Sequence, residues 1–218
     1  MRARGGCPRL FRSWDHRGMD PTSGPDLGPV LTALARTAVA SSFGPRPPRA
    51  RELLADAPPA LGERAATFVT LERDGTLRGC IGTLTALRPL GFDVVRNARL
   101  AARDPRLPAV AADEVPGLTV KVAVLTPSEP VSVRDFAALI DGLRPGEDGL
   151  TLKDADHRAT FLPSVWATAP DPQRFVAALL RKGGWPRRYW TSGDPRSAPW
   201  PEGLEAERYG TVDYVGRP

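Results

Sequence analysis

Apolar residues recur at helical spacing over Leu27, Val30, Leu31, Leu34, Ala35 and Ala38, and the pattern stops at Phe43-Gly44-Pro45, which predicts a first helix. A Pro-rich link leads to a short helical turn or loop at Arg51-Glu52-Leu53-Leu54. Thr67 to Leu71 then reads as a strand, and Asp74-Gly75, a pair that tolerates φ > 0, predicts a tight type I′ turn into a second strand, Leu77-Arg78-Gly79-Cys80-Ile81-Gly82-Thr83-Leu84. Leu90, Val94, Ala98 and Ala101 form the stripe of a second helix that ends before Asp104-Pro105. Leu118 to Leu125 is β-branched and predicts a strand, Val133 to Ile140 a short helix, and Gly149–Lys153 with Arg158–Leu162 a second hairpin around Asp154 to His157. A further helix starts at Asp171-Pro172, buries Phe175, Val176, Leu179 and Leu180, and stops at Gly183-Gly184. Arg208 to Val215 is the last expected strand. Helices and strands mix without a regular βαβ repeat, so the expected class is α+β, a mainly antiparallel sheet with flanking helices.

Composition narrows the picture only slightly. A 218-residue chain with 41% hydrophobic content can bury one good core with room for a second lobe. No apolar run reaches the roughly 20 residues that span a bilayer, and the N-terminus lacks the apolar segment of a signal peptide, so the cytoplasm is expected. The net charge of +5 is concentrated in residues 1 to 18, where Arg2, Arg4, Arg9, Arg12 and Arg17 face only Asp15. The body is close to neutral and gives no electrostatic argument for general nucleic-acid or membrane-surface binding. Residues 1–26 read as an Arg-, Gly- and Pro-rich tail, with Met19 as an alternative start of translation, and 27–215 as a single two-lobed domain.

The chemistry-bearing stretch is Leu77 to Gly82. On a regular strand Arg78 and Cys80 share a face, where the guanidinium would favour a thiolate nucleophile or thiol carrier. A small buried apolar cysteine is the competing reading, and nothing places His157, the body's one histidine, near Cys80 as a base. Glycines inside a strand mark a bulge or the close approach of a backbone or ligand, which adds Gly79 and Gly82. Arg78, Asp104 and Arg106 could form an anion-binding or acid–base cluster, or Asp104 could stop the helix with the arginines paired to it. The alternation of Trp185, Arg187, Arg188, Tyr189 and Trp190 permits RNA stacking, or more simply a helix end that closes a core. No metal-ligand spacing, phosphate loop or dinucleotide fingerprint occurs, so no cofactor and no metal are expected.

Several stretches together resemble one family. They are Phe68 to Leu71, Gly75 to Leu84, Asn97-Ala98 with Ala101-Ala102, Asp104-Pro105-Arg106, Leu125-Thr126-Pro127, Gly149-Leu150, Leu162-Pro163 with Val165, and Lys182 with Trp190. Their order and spacing from about residue 28 to 215 are similar to the AMMECR-type domain, protein A of the AmmeMemoRadiSam system. The resemblance implies a two-lobed α+β fold, with the hexapeptide Leu77 to Gly82 at a groove between lobes, and association with Memo-like and radical-SAM proteins. It adds Thr83 and Asn97 to the expected groove. The chain departs from the family pattern at Lys121, where glutamate is frequent, at Leu107, where phenylalanine is, and at Ser164, where glutamine is. Lys121 would remove a carboxylate base if the family's chemistry uses one. The leading expectation is an accessory component that presents the groove to a peptide, protein or small anion. The alternatives are a Cys80-dependent enzyme and, more remotely, an RNA binder.

Overall fold

The computed structural model describes residues 27–191 and 195–218. The expectations for residues 1–26, including the start at Met19, lie outside the described residues. Helix α1 (Leu27–Ala40) and a single turn α2 (Ala50–Leu53) precede strands β1 (Thr67–Arg73) and β2 (Thr76–Gly82). Helix α3 (Leu90–Ala101) follows, then β3 (Leu118–Leu125), β4 (Glu129–Val131), α4 (Phe136–Gly142), β5 (Gly149–Lys153) and β6 (Arg158–Phe161). Helix α5 (Pro172–Gly183), β7 (Glu205–Tyr209) and β8 (Thr211–Gly216) complete the order.

The strands form two four-stranded antiparallel sheets, β2-β1-β3-β8 and β4-β7-β5-β6. Alternation places Val69, Leu71, Val120 and Val122 against α1 and α3, where Leu31, Ala35, Val94 and Ala98 close the first core. Phe136, Leu150, Leu152, Phe175 and Leu179 build the second core, with Phe175 stacked on Trp166 at 3.8 Å between ring centroids. The class is α+β, as the pattern predicts.

Local signals explain the element ends. Asp74 and Gly75 both have positive φ, 50° and 76°, as a type I′ turn requires. Asp171 accepts from the Arg174 N–H at 2.8 Å ahead of Pro172, and Gly184 ends α5 at φ 82°. Two expectations are corrected. Helix α4 begins at Phe136 instead of Val133, because Asp135 caps it through the Ala138 N–H at 2.7 Å. The expected last strand is two, one in each sheet, broken at Gly210.

That break joins the lobes. The chain passes to the second lobe after Leu125 and returns at Gly210, and these crossings bind each other: Thr126 N–H donates to the Gly210 carbonyl at 3.0 Å, and Gly210 N–H to Thr126 Oγ1 at 2.7 Å. Within the first lobe, Asp93 is a buried knot. Its carboxylate accepts from Thr67 N–H and Oγ1, Thr83 Oγ1, Asn97 Nδ2 and Arg88 Nη1, at 2.6 to 3.0 Å, and so fastens α3 to the start of β1 and the end of β2.

Helix α3 lies so close to β2 that a Cβ on Gly79 would stand 1.9 Å from the Ala101 carbonyl oxygen, a backbone atom. One on Gly82 would meet the half-buried ring of Phe68, a side chain that can turn. Gly79→Ala is therefore expected to destabilise the fold by about 1–3 kcal/mol, the range for overpacking. Gly82→Ala should cost less. Thermal unfolding of both variants checks this ranking, and equal losses would contradict it.

Candidate functional site around Cys80

Strand β2 is an edge strand, and an edge exposes unpaired N–H and C=O groups. At Cys80 both are taken. The Cys80 N–H donates to Asp104 Oδ2 at 3.0 Å, and its carbonyl accepts from Arg106 Nη2 at 2.7 Å. Asp104 also receives the Arg106 N–H at 3.1 Å, Nε at 2.9 Å and Nη2 at 2.6 Å. The Asp-Pro-Arg step thus clips the strand edge with a carboxylate whose side chain is 0% exposed and a guanidinium that is 66% exposed. Hydrogen bonds from Arg106, opposed by desolvation, hold Asp104 well below the usual carboxylate range.

Asp104 does not cap α3 with its side chain. The helix ends through backbone bonds, Ala102 N–H to Ala98 and Asp104 N–H to Ala101, which frees the carboxylate for the strand.

Cys80 is half-buried, and its Sγ accepts from Thr70 Oγ1 at 3.3 Å. A row runs across the sheet through paired residues, Cys80, Thr70, Lys121 and Val215. Lys121, where the resemblance led to a glutamate being expected, is held by Glu72 of β1 at 2.7 Å. A carboxylate is thus present beside that position, engaged by the lysine.

The expected pairing of Arg78 with Cys80 is absent. The register shifts between Leu71, opposite Gly79, and Glu72, opposite Leu77, so Arg78 is the extra residue of a β-bulge. The bulge redirects it to Glu114, with two bonds of 2.9 Å. This bond and the Ala111 N–H lower the Glu114 pKa to about 2. The cation beside Cys80 is instead Arg106, which donates to the Cys80 carbonyl and is held protonated chiefly by its bond to Asp104.

The other expected residues divide clearly. Gly79 and Gly82 provide close approach to α3 and to Phe68. Thr83 and Asn97 belong to the Asp93 knot, and Asn97, at 0% exposure, has no surface to offer a groove. His157 is held in the second lobe by Asp154 at 3.0 Å and stacks on Trp185. Trp185 and Tyr189 are buried in the second core and Trp190 is half-buried, with Nε1 on the Trp185 carbonyl, so these rings form no open stacking platform. Among the described residues no group of three or more His, Cys, Asp or Glu could hold a metal ion, and no helix is long and apolar enough to cross a membrane.

One site residue escapes the reading of the sequence. Lys182, near the end of α5, donates to the Thr160 carbonyl at 2.9 Å and lies 5.0 Å from the Phe161 ring centroid. Its side chain is exposed, yet partial desolvation and then the charge of Arg106 pull its pKa below the ordinary lysine value. The charge of Arg106 in the first lobe is therefore felt at Lys182 in the second. In the sequence Lys182 enters through the family resemblance and as a cation near a helix C-terminus, and no spacing relates it to Arg106.

Comparison with known proteins agrees with this architecture. The AMMECR1 family model matches residues 32–198. A protein of Methanothermobacter thermautotrophicus is 36% identical over 166 residues, covering 74% of this chain and 84% of that protein. One of Thermococcus gammatolerans is 34% identical over 180 residues, covering 78% and 85%. The crystal structure of the uncharacterised protein PH0010 from Pyrococcus horikoshii is similar, with a TM-score of 0.71 and 28% identity over 89% of this chain and 98% of that one.

The lowered pKa values of Asp104 and Glu114 fix a sign. Each is below its unfolded value, so the stability it contributes is present above the unfolded carboxylate pKa of about 4 and is lost as pH falls through the folded value. Thermal unfolding should be nearly independent of these groups above about pH 5 and fall steeply towards pH 2. Asp104→Asn should lower the melting temperature at pH 7 and flatten that acid decline. A variant with the wild-type decline would contradict the clip.

Proposed function

The chain belongs to the AMMECR1 family, and from that premise we propose that it is a binding component whose Cys80 edge receives an acidic group of a protein or peptide partner. What supports this reading is the exposed Arg106 guanidinium bound to the Cys80 carbonyl at the strand edge, with Lys182 of the other lobe within range of its charge. Arg106 is fixed by Asp104, while Lys182 has the Thr160 carbonyl and the Phe161 ring and, among the described residues, no ion pair. An added carboxylate or phosphate would relieve the mutual repulsion and match the guanidinium fork. The partners we propose, Memo-like and radical-SAM proteins, follow from the family resemblance of the Leu77 to Gly82 stretch and not from this geometry.

A second reading, a thiol-dependent activity, is favoured by the Thr70 hydroxyl on Sγ and by Arg106 beside Cys80. Among the described residues no histidine contacts Cys80, so a base would have to come from a partner or substrate.

Co-expression with the Memo-like and radical-SAM proteins of the same organism separates the readings. Binding should be retained by Cys80→Ser and weakened at least tenfold by Lys182→Glu, which leaves the Asp104–Arg106 clip intact. Binding that ignores Lys182→Glu would sink the proposal. A catalytic thiol would show instead as rapid iodoacetamide labelling below the free cysteine pKa of about 8.5, absent in Cys80→Ala.

A further inference from the structure

A cavity of about 530 Å³ opens between the lobes, on the face of the first sheet opposite to Cys80. The register separates the two. Val69, Val122 and Tyr214 are paired on the helix-packed face, as are Val124 and Val212, whereas Cys80, Thr70, Lys121 and Val215 occupy the other. The floor is apolar, from Leu31 of α1, Leu90 of α3, Val124 and Tyr214, and small residues such as Ala65 and Ala66 leave its wall unfilled. Protein interiors rarely leave voids larger than a water molecule, and this volume lies in the range of small-molecule sites.

Its polar lining is uneven. Lys153 and Glu207 neutralise each other at 2.7 Å, with Glu205 adding a second bond to the lysine at 3.1 Å. Arg64 and Arg158 also line the cavity and have no acidic partner among the described residues; Glu63 is the one lining acid without a cation. Arg64 and Arg158 are thus lining cations with no acid of their own, and the planar fork of arginine suits a carboxylate.

We propose that this cavity binds an apolar organic acid, with its hydrocarbon body against Leu31, Val124 and Tyr214 and its carboxylate on Arg158 and Arg64. The site is separate from the Cys80 edge and does not depend on what that edge binds.

Isothermal titration of the full chain with laurate, 1-dodecanol and dodecylamine tests it. One laurate should bind per chain, at least tenfold tighter than dodecanol, with dodecylamine weakest. Arg64→Gln combined with Arg158→Gln, both exposed positions, should reduce laurate to the affinity of dodecanol. Methyl NMR should show laurate shifting Leu31 and Val124 but not Leu179 of the second core. Equal affinity for acid and alcohol, shifts confined to other methyls, or no laurate binding would each overturn the proposal.

Discussion

The Asp104 carboxylate closes the edge of the first sheet. A strand edge at Cys80 would otherwise leave an N–H and a C=O without protein partners, and one buried acid with the arginine two residues later satisfies both. The clip also fixes Arg106, so its guanidinium remains two-thirds exposed yet cannot swing freely. Removing a partner from such a charge-assisted set typically costs about 1.5–3 kcal/mol per hydrogen bond, so the edge, the arginine and the cysteine backbone stand or fall together. The loss of Gly79 would act on the same place from behind, by pushing α3 away from β2.

Lobe assembly places the second cation. The Thr126–Gly210 pair holds the outgoing and returning chain side by side, and the last strand belongs to the first sheet although the strand before it belongs to the second. The first lobe is therefore built from two separated stretches, with the second lobe inserted between them. Lys182, carried by α5 of the second lobe, comes under the influence of Arg106 of the first. The same junction leaves the apolar cavity on the opposite face, so the fold offers two chemically distinct surfaces from one sheet.

Much of this was legible in the sequence where a local signal decides the outcome. Asp74-Gly75 specified its turn, Asp171-Pro172 and Gly184 bounded α5, and the hexapeptide stretch marked the candidate site. Strand alternation, in contrast, misplaced Arg78, because a bulge adds one residue and nothing local distinguishes Leu77-Arg78 from a regular pair. Asn97, expected at the groove through the resemblance, and Asp104, expected there or as a helix stop, were separated by long-range partners that sent one to a buried knot and the other to the strand edge. Gly210 carried no sign that it divides two strands between two sheets, since the crossing depends on Thr126, 84 residues earlier.

The coupling of Arg106 to Lys182 is read most directly by the protonation of Lys182. Isotope-labelled lysine followed by NMR through a pH titration, in the wild type and in Arg106→Gln, makes that measurement. Lys182 should lose its proton at a lower pH than the other surface lysines. Arg106→Gln should move it part of the way back, because the charge is gone and the desolvation remains. A Lys182 signal that titrates at the ordinary lysine value of about 10.4 and ignores the variant would contradict the coupling of Arg106 to Lys182 across the lobes.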